Sequence, residues 1–164
     1  MRRGRGNGTR TGYRRPVDDA ELLAVAIEQA RIGRAEGGVP IGAAILVDGT
    51  VVGAGHNRRV QLGSAIRHGE TDALEVAGRL PAAAYRRATM ATTLSPCDMC
   101  TGAILLYGIP RLVIGENRTF YGGEDYLRSR GVEVVNLDSA ECYELMQAFI
   151  AEHPDIWNED IGEA

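Results

Sequence analysis

The chain has no lysine, no apolar run near the roughly 20 residues that a membrane span needs, and only three cysteines. An odd cysteine count, with two of the three in a C-x-x-C, argues against a disulfide framework and for metal or redox use. The N-terminal arginines are not followed by the apolar segment of a secretory signal, so the cytoplasm is the expected compartment. Acidic residues are missing from Met1 to Arg15, which hold six arginines; subtracting these six from the formal net charge of −4 leaves −10 on the body. An acidic body repels phosphate backbones, which makes the folded part a poor binder of nucleic-acid polymers. The Arg/Gly-rich stretch over residues 1–16 has the composition of a disordered tail. The remaining chain, 17–164, fits one domain that buries about two-thirds of its unfolded surface.

Asp18 with Glu21 three residues later forms a capping box, and Leu22, Leu23, Ala26, Ile27 and Ala30 recur at helical spacing. Gly37-Gly38 ends that helix. Two apolar runs, Ile41 to Val47 and Val51 to Ala54, flank Asp48-Gly49 and read as a hairpin. A polar stretch, Arg58 to Arg67, precedes a helix from about His68 to Gly78, and Thr89 to Leu94 reads as a strand. The next helix is expected to have Ser95 as N-cap and Pro96 at its first position, with Gly108 and Pro110 closing it. A strand over Arg111 to Gly115, a short helix over Glu124 to Arg130 and a strand over Val132 to Leu137 follow. A further helix over Asp138 to Glu152 is capped by Asp138 and ended by Pro154. Alternating strands and helices indicate an α/β domain. The acidic C-terminal segment carries the single tryptophan, Trp157, and is expected to fold back on the body.

The chemistry concentrates in His68-Gly69-Glu70 and Ser95-Pro96-Cys97-Asp98-Met99-Cys100. C-x-x-C alone is also compatible with a redox pair or with half of a structural zinc site. An imidazole and a carboxylate nearby change the reading to three ligands with one open position and a proton carrier beside it. Nucleobase deaminases share this H-x-E…P-C-x-x-C pattern, in which the His and both Cys bind zinc and the Glu moves protons. Cys142 lies inside an apolar helical stretch, where a buried inert thiol is the commoner case. His56 reads either as structural or as a neighbour of the site. On spacing alone, Asn57, Phe120, Trp157 and Asp160 fit packing or surface positions as well as substrate contacts.

Longer segments resemble the fungal-type free-base cytosine deaminases of the cytidine-deaminase-like superfamily. The matching residues are Glu36-Gly-Gly-Val-Pro-Ile-Gly42, Gly55-His-Asn57, His68-Gly-Glu70, Thr92-Thr-Leu-Ser-Pro-Cys-Asp-Met-Cys-Thr-Gly-Ala103, Tyr107-Gly-Ile-Pro110, Gly115-Glu-Asn117, Phe120 and Trp157…Glu159-Asp-Ile-Gly-Glu163. The resemblance implies a three-layer α/β/α fold with a central five-stranded mixed sheet, a homodimer, and one Zn2+ per subunit held by His68, Cys97 and Cys100. It further implies Glu70 as proton shuttle, and Asn57, Gly69 and Asp160 on the polar edge of a pyrimidine. Phe120 and Trp157 would wall the ring, and the C-terminal segment would act as a lid. The expected reaction is cytosine to uracil plus ammonia. The chain departs from the family pattern at Ala65-Ile-Arg67, Thr71-Asp-Ala73, Arg118 and Tyr121-Gly-Gly123. These flanks keep other amino-substituted rings (isocytosine, guanine, an aminotriazine) open as substrates. A tRNA adenosine deaminase and a non-enzymatic zinc-stabilised RNA-binding domain are the remaining alternatives.

Overall fold

The computed structural model of the protein describes residues 16–164. Apart from Pro16, the expected Arg/Gly-rich tail lies outside the described residues. Helix α1 (Asp19–Ala35) starts at the expected capping box: Asp18 Oδ1 accepts the Glu21 N–H at 2.9 Å, and the Glu21 carboxylate accepts the Asp18 N–H at 2.9 Å. Strands β1 (Gly42–Val47) and β2 (Thr50–His56) then form an antiparallel hairpin. Asp48 and Gly49 turn it with φ of 49° and 81°, the left-handed backbone a two-residue hairpin loop needs. The chain continues through α2 (Arg59–Leu62), α3 (Gly69–Ala77), α4 (Ala82–Tyr85), β3 (Ala88–Leu94), α5 (Asp98–Tyr107) and β4 (Arg111–Glu116). It ends with α6 (Glu124–Ser129), β5 (Glu133–Asn136), α7 (Ala140–Glu152) and α8 (Pro154–Asp160).

The five strands make one mixed sheet in the order β2-β1-β3-β4-β5, antiparallel on the β2 side and parallel from β3 to β5. Strand periodicity sends alternate residues to opposite faces. Ala43, Ile45, Met90, Leu112 and Ile114 join Ala73, Ile104 and Leu127 from α3, α5 and α6 on one face. Ala44, Ala91 and Val113 meet Leu22, Leu23, Ala26 and Ile27 of α1 and Cys142 of α7 on the other. Both faces are therefore covered, which gives the expected three layers and explains why β1 is an uninterrupted apolar run and β3 and β4 are buried nearly throughout. A third cluster at one end of the sheet, with Val39, Ile41, Leu94, Met146, Phe149 and Trp157, seats α8. The acidic C-terminus does fold back, through its tryptophan.

Glycines in β2 bring α3 unusually near the sheet. A Cβ on Gly53 would meet the Ala73 carbonyl oxygen at 2.4 Å, and one on Gly55 would meet the Ala73 nitrogen at 2.6 Å. Any side chain there would push α3 outward, and with it His68.

Several boundaries differ from the expected ones. The N-cap of α5 is Cys97, with φ −67° and ψ 174°, not Ser95. The Ser95 hydroxyl instead accepts the Gly122 N–H at 3.0 Å, and so ties the turn to the loop after β4. The N-cap of α7 is Ser139, whose hydroxyl accepts the Cys142 N–H, while Asp138 sits at φ 48° one residue before. Pro154 ends α7 and also starts α8, because proline suits the first turn of a helix as well as it breaks an interior. Short helices α2 and α4 lie where no helix was expected; four-residue helices carry too little periodicity to be read.

Candidate metal centre and substrate pocket

The site lies where β2, β3 and β4 end and β1 begins, since Gly42 pairs with His56 and Ala43 with Thr92. Two helices start there. His68 is the N-cap of α3 and Glu70 sits in its first turn; Cys97 is the N-cap of α5 and Cys100 sits in its first turn. The positive ends of both helices thus converge on one point, where they favour thiolates and carboxylates.

His68 Nδ1 lies 3.4 Å from Cys97 Sγ and 3.8 Å from Cys100 Sγ, and all three donor atoms fall within 4.8 Å of one another. Sulfur ligands at about 2.3 Å and an imidazole at about 2.0 Å around a tetrahedral zinc would stand about 3.5 to 3.8 Å apart. The donor set therefore fits zinc in both chemistry and spacing. Cys142 is buried against the opposite face of the sheet, its thiol pushed up to about 11 by burial, and takes no part.

The titratable groups of the cluster strongly perturb one another. A hydrogen bond from Cys100 draws the Cys97 thiol down to about 4 against the opposing effect of burial, helped by His68. Cys100 is correspondingly held well above the ordinary thiol range by that bond and by burial. Burial pulls the His68 imidazole down, but the Cys97 hydrogen bond and the charges of Asp160 and Glu70 outweigh it and raise it to about 9. These groups share protons that a bound cation would displace. Glu70 is 3% exposed, and burial first, then the charge on Cys97, lifts its carboxyl above the usual range.

His68, Glu70, Cys97, Phe120, Trp157 and Asp160 line one pocket, together with Ile41, Leu94, Ser95 and Ile161. The Phe120 and Trp157 rings meet edge to face at 6.4 Å. Asn57 stands just behind, with its Nδ2 donating to Asp160 Oδ1 at 2.8 Å and its Oδ1 accepting the Arg59 N–H at 3.1 Å. Asp160 also lies 3.7 Å from His68 Nε2 and 3.4 Å from the Arg59 guanidinium. It thereby links α8 to α2 and α3. Gly69 packs its Cα on the backbone of Ile41 and Gly42, where a Cβ would come within 3.0 Å of the Ile41 oxygen. His56 is structural: its Nδ1 meets Gln29 Oε1 at 2.8 Å and its Nε2 meets Glu36 at 2.9 Å.

Sequence reasoning missed the contacts of three polar residues here. Thr92 hydrogen-bonds Glu70, Arg59 pairs with Asp160, and buried Asp72 accepts the His56 N–H and pairs with Arg67. Thr92 lay inside a matching motif, and its burial in a strand was the only signal. Asp72 and Arg67 were noted as departures from the family; they pair with each other at 3.0 Å, so the polar flank of His68 is a self-satisfied ion pair turned from the pocket lining.

An α/β/α sheet with two sulfurs, one imidazole and a separate buried carboxylate at its strand ends defines a hydrolytic zinc site of the nucleobase-deaminase type. Comparison with known proteins agrees. The description "Cytidine and deoxycytidylate deaminase zinc-binding region" matches residues 16–116, and the chain belongs to that family. It is 58% identical over 147 residues to a cytosine deaminase of Candida albicans, a match covering 89% of this chain and 98% of the relative. It is 32% identical over 138 residues to a tRNA-specific adenosine deaminase of Streptococcus pyogenes, covering 78% and 87%. Among solved structures, a guanine deaminase from Nitrosomonas europaea superposes with TM-score 0.64 at 25% identity over 83% of this chain and 86% of that one.

Proposed function

We propose that this protein hydrolyses cytosine to uracil and ammonia in a zinc-dependent reaction. The observation that carries the reading is the 58% identity to a cytosine deaminase over nearly that enzyme's whole length, in a chain whose His, Cys and Glu side chains converge in one pocket. His68 Nδ1, Cys97 Sγ and Cys100 Sγ would hold the metal. Bound zinc supplies the Lewis acidity that lets water lose a proton near neutral pH. Glu70 takes that proton and delivers it to the ring nitrogen beside the amine-bearing carbon. The water oxygen adds to that carbon, Glu70 takes its remaining proton and passes it to the amine, and ammonia leaves as the carbonyl of uracil forms. Asn57, the Gly69 backbone and Asp160 orient the polar edge of the ring, with Asp160 accepting from the exocyclic amine. Phe120 and Trp157 wall its faces.

As it stands the pocket is narrow, with a cavity volume of ≈ 20 Å³. A pyrimidine enters only if a wall moves. Trp157, Asp160 and Ile161 belong to α8 or its end, so we assign α8 the role of lid. The protein acts in the cytoplasm and in pyrimidine salvage as a homodimer, with one zinc per subunit. The outer face of α3 and α5 supports the homodimer: Leu106, Tyr107 and Ile66 are exposed there around a groove that also includes Leu74 and Leu80. The absence of disulfides among its three cysteines fits a reducing compartment.

The test is ammonia release by zinc-loaded protein from cytosine, isocytosine, guanine, an aminotriazine, cytidine and a tRNA. Turnover of cytosine far above the rest is expected. Faster turnover of another member would keep the zinc chemistry and overturn the substrate, and no ammonia from any of them would overturn the enzyme.

A further inference from the structure

Thr92 stands at the centre of β3, 0% exposed, and shares the sheet face of Met90 that looks toward α3 and α5. A hydroxyl there is out of place on packing grounds, because its neighbours on that face are apolar and valine would fill the same volume. Its oxygen lies 2.9 Å from Glu70 Oε1 and 3.2 Å from the Leu94 carbonyl oxygen. The other carboxylate oxygen, Glu70 Oε2, lies 3.3 Å from Cys100 Sγ and so faces the donor cluster. Glu70 thus has one oxygen turned to the site and one turned to the sheet, and Thr92 holds the latter.

We propose that Thr92 is a positioning residue for the proton carrier. Its hydroxyl donates to Glu70 Oε1, which fixes the carboxylate rotamer and reserves Oε2 for the proton in transit. A carboxyl group can carry its proton on either oxygen, and one on Oε1 would sit against the sheet, out of reach of a ring in the pocket. A donor already occupying Oε1 keeps the proton on the productive side. Cys100 cannot fill this role in the working enzyme, since a metal-ligating thiolate has no proton to give. The Leu94 carbonyl gives the same hydroxyl a second acceptor, so it stays satisfied when Glu70 swings to follow the proton.

The inference rests on the reading of Glu70 as proton carrier, and the experiment separates the two. Cytosine deamination is measured for wild type, Thr92→Val, Thr92→Ser, Glu70→Gln and the Thr92→Val/Glu70→Gln double variant, each with zinc content and Tm determined. Thr92→Val should keep zinc and lower kcat about 10- to 100-fold with KM little changed, the loss expected for one hydrogen bond to a charged group. Thr92→Ser, which keeps the hydroxyl, should recover most of it. In the Glu70→Gln background Thr92→Val should add nothing, because the residue acts through Glu70. Should Thr92→Val fail to fold, Thr92→Ala is read in its place. Wild-type kcat in the folded, hydroxyl-free variant, or full additivity in the double variant, would overturn the positioning role. Undiminished activity of Glu70→Gln would overturn the proton-carrier reading itself.

Discussion

The two walls of the pocket are built differently. One wall comprises the first turns of α3 and α5, whose inner faces pack on the sheet; α5 follows β3 after a three-residue turn, and α3 follows β2 through α2 and a loop. The other wall is α8, a seven-residue helix at the chain end. It is held by the Trp157 side chain in an end cluster and by Asp160 in a polar knot with Asn57 and Arg59. The groups assigned to bond-making sit on the first wall; of the five assigned to recognition, Trp157 and Asp160 sit on the second, Gly69 on the first, and Asn57 and Phe120 on loops beside them. Chemistry needs donors fixed to within fractions of an ångström, which a sheet-anchored helix start provides. The lid proposed for α8 asks for the opposite, a wall that can leave, and a short helix held by one aromatic side chain and a polar knot suits that role.

This contrast predicts effects of different size and kind. The largest falls on the metal wall. Cys100→Ser, or removal of zinc with a chelator, should abolish ammonia release. It should also lower Tm, since a cluster shaped for a cation loses its charge compensation; a chelator-treated protein still turning over cytosine would break the assignment. Asp160→Asn should come next, with kcat/KM for cytosine reduced about 10- to 100-fold while zinc content stays at one per chain. Equal kinetics in wild type and variant would remove Asp160 from the substrate edge. Trp157→Ala should speed amide hydrogen exchange in α8 far more than in α3 or α5, with a comparatively modest fall in Tm. Uniform acceleration across all three helices would mean that α8 is no more releasable than the metal wall.

The smallest effect lies far from the pocket. Arg111 pairs with Asp19 through two hydrogen bonds, at 2.5 and 2.8 Å, and holds that carboxyl below its ordinary value against slight burial. A depressed folded-state value means that the pair's contribution is present above the unfolded pKa of about 3.9 and is lost as pH falls through the folded value. Asp19→Asn should therefore cost under about 1 kcal/mol at pH 7, the pair being partly exposed, and nothing at more acidic pH. Urea unfolding at both pH values reads it; a cost that persists in acid would contradict the linkage.

The same contrast governs what the sequence made legible. The metal wall could be read because its constraints are local: three ligands and a carboxylate must occur at helix-start spacing, and a hairpin with Asp48-Gly49 fixes the strands beside them. Even there the cap was misplaced from Cys97 to Ser95. Ser95 is the better cap by residue type, but its hydroxyl is taken by the Gly122 N–H, distant in sequence, and Cys97 begins α5 without a side-chain capping bond. The Glu70–Thr92 contact and the Asp160–Arg59 pair were not legible. They join residues 22 and 101 apart, and no local pattern marks such a meeting. The roles of Asn57 and Asp160 came from resemblance, not from spacing; the structure brings the two side chains together, with a hydrogen bond at 2.8 Å. The alternating pattern behind the α/β reading survived because both faces of the sheet are apolar, which forces a helix layer on each.

The most direct test is steady-state ammonia release from cytosine by the zinc-loaded wild type and by zinc-loaded Glu70→Gln. The account predicts turnover by the wild type and a kcat lower by about 10² to 10⁴ in the variant, with zinc content and fold retained. A Glu70→Gln enzyme that turns over cytosine at the wild-type rate, or a zinc-replete wild type that releases no ammonia, would contradict it.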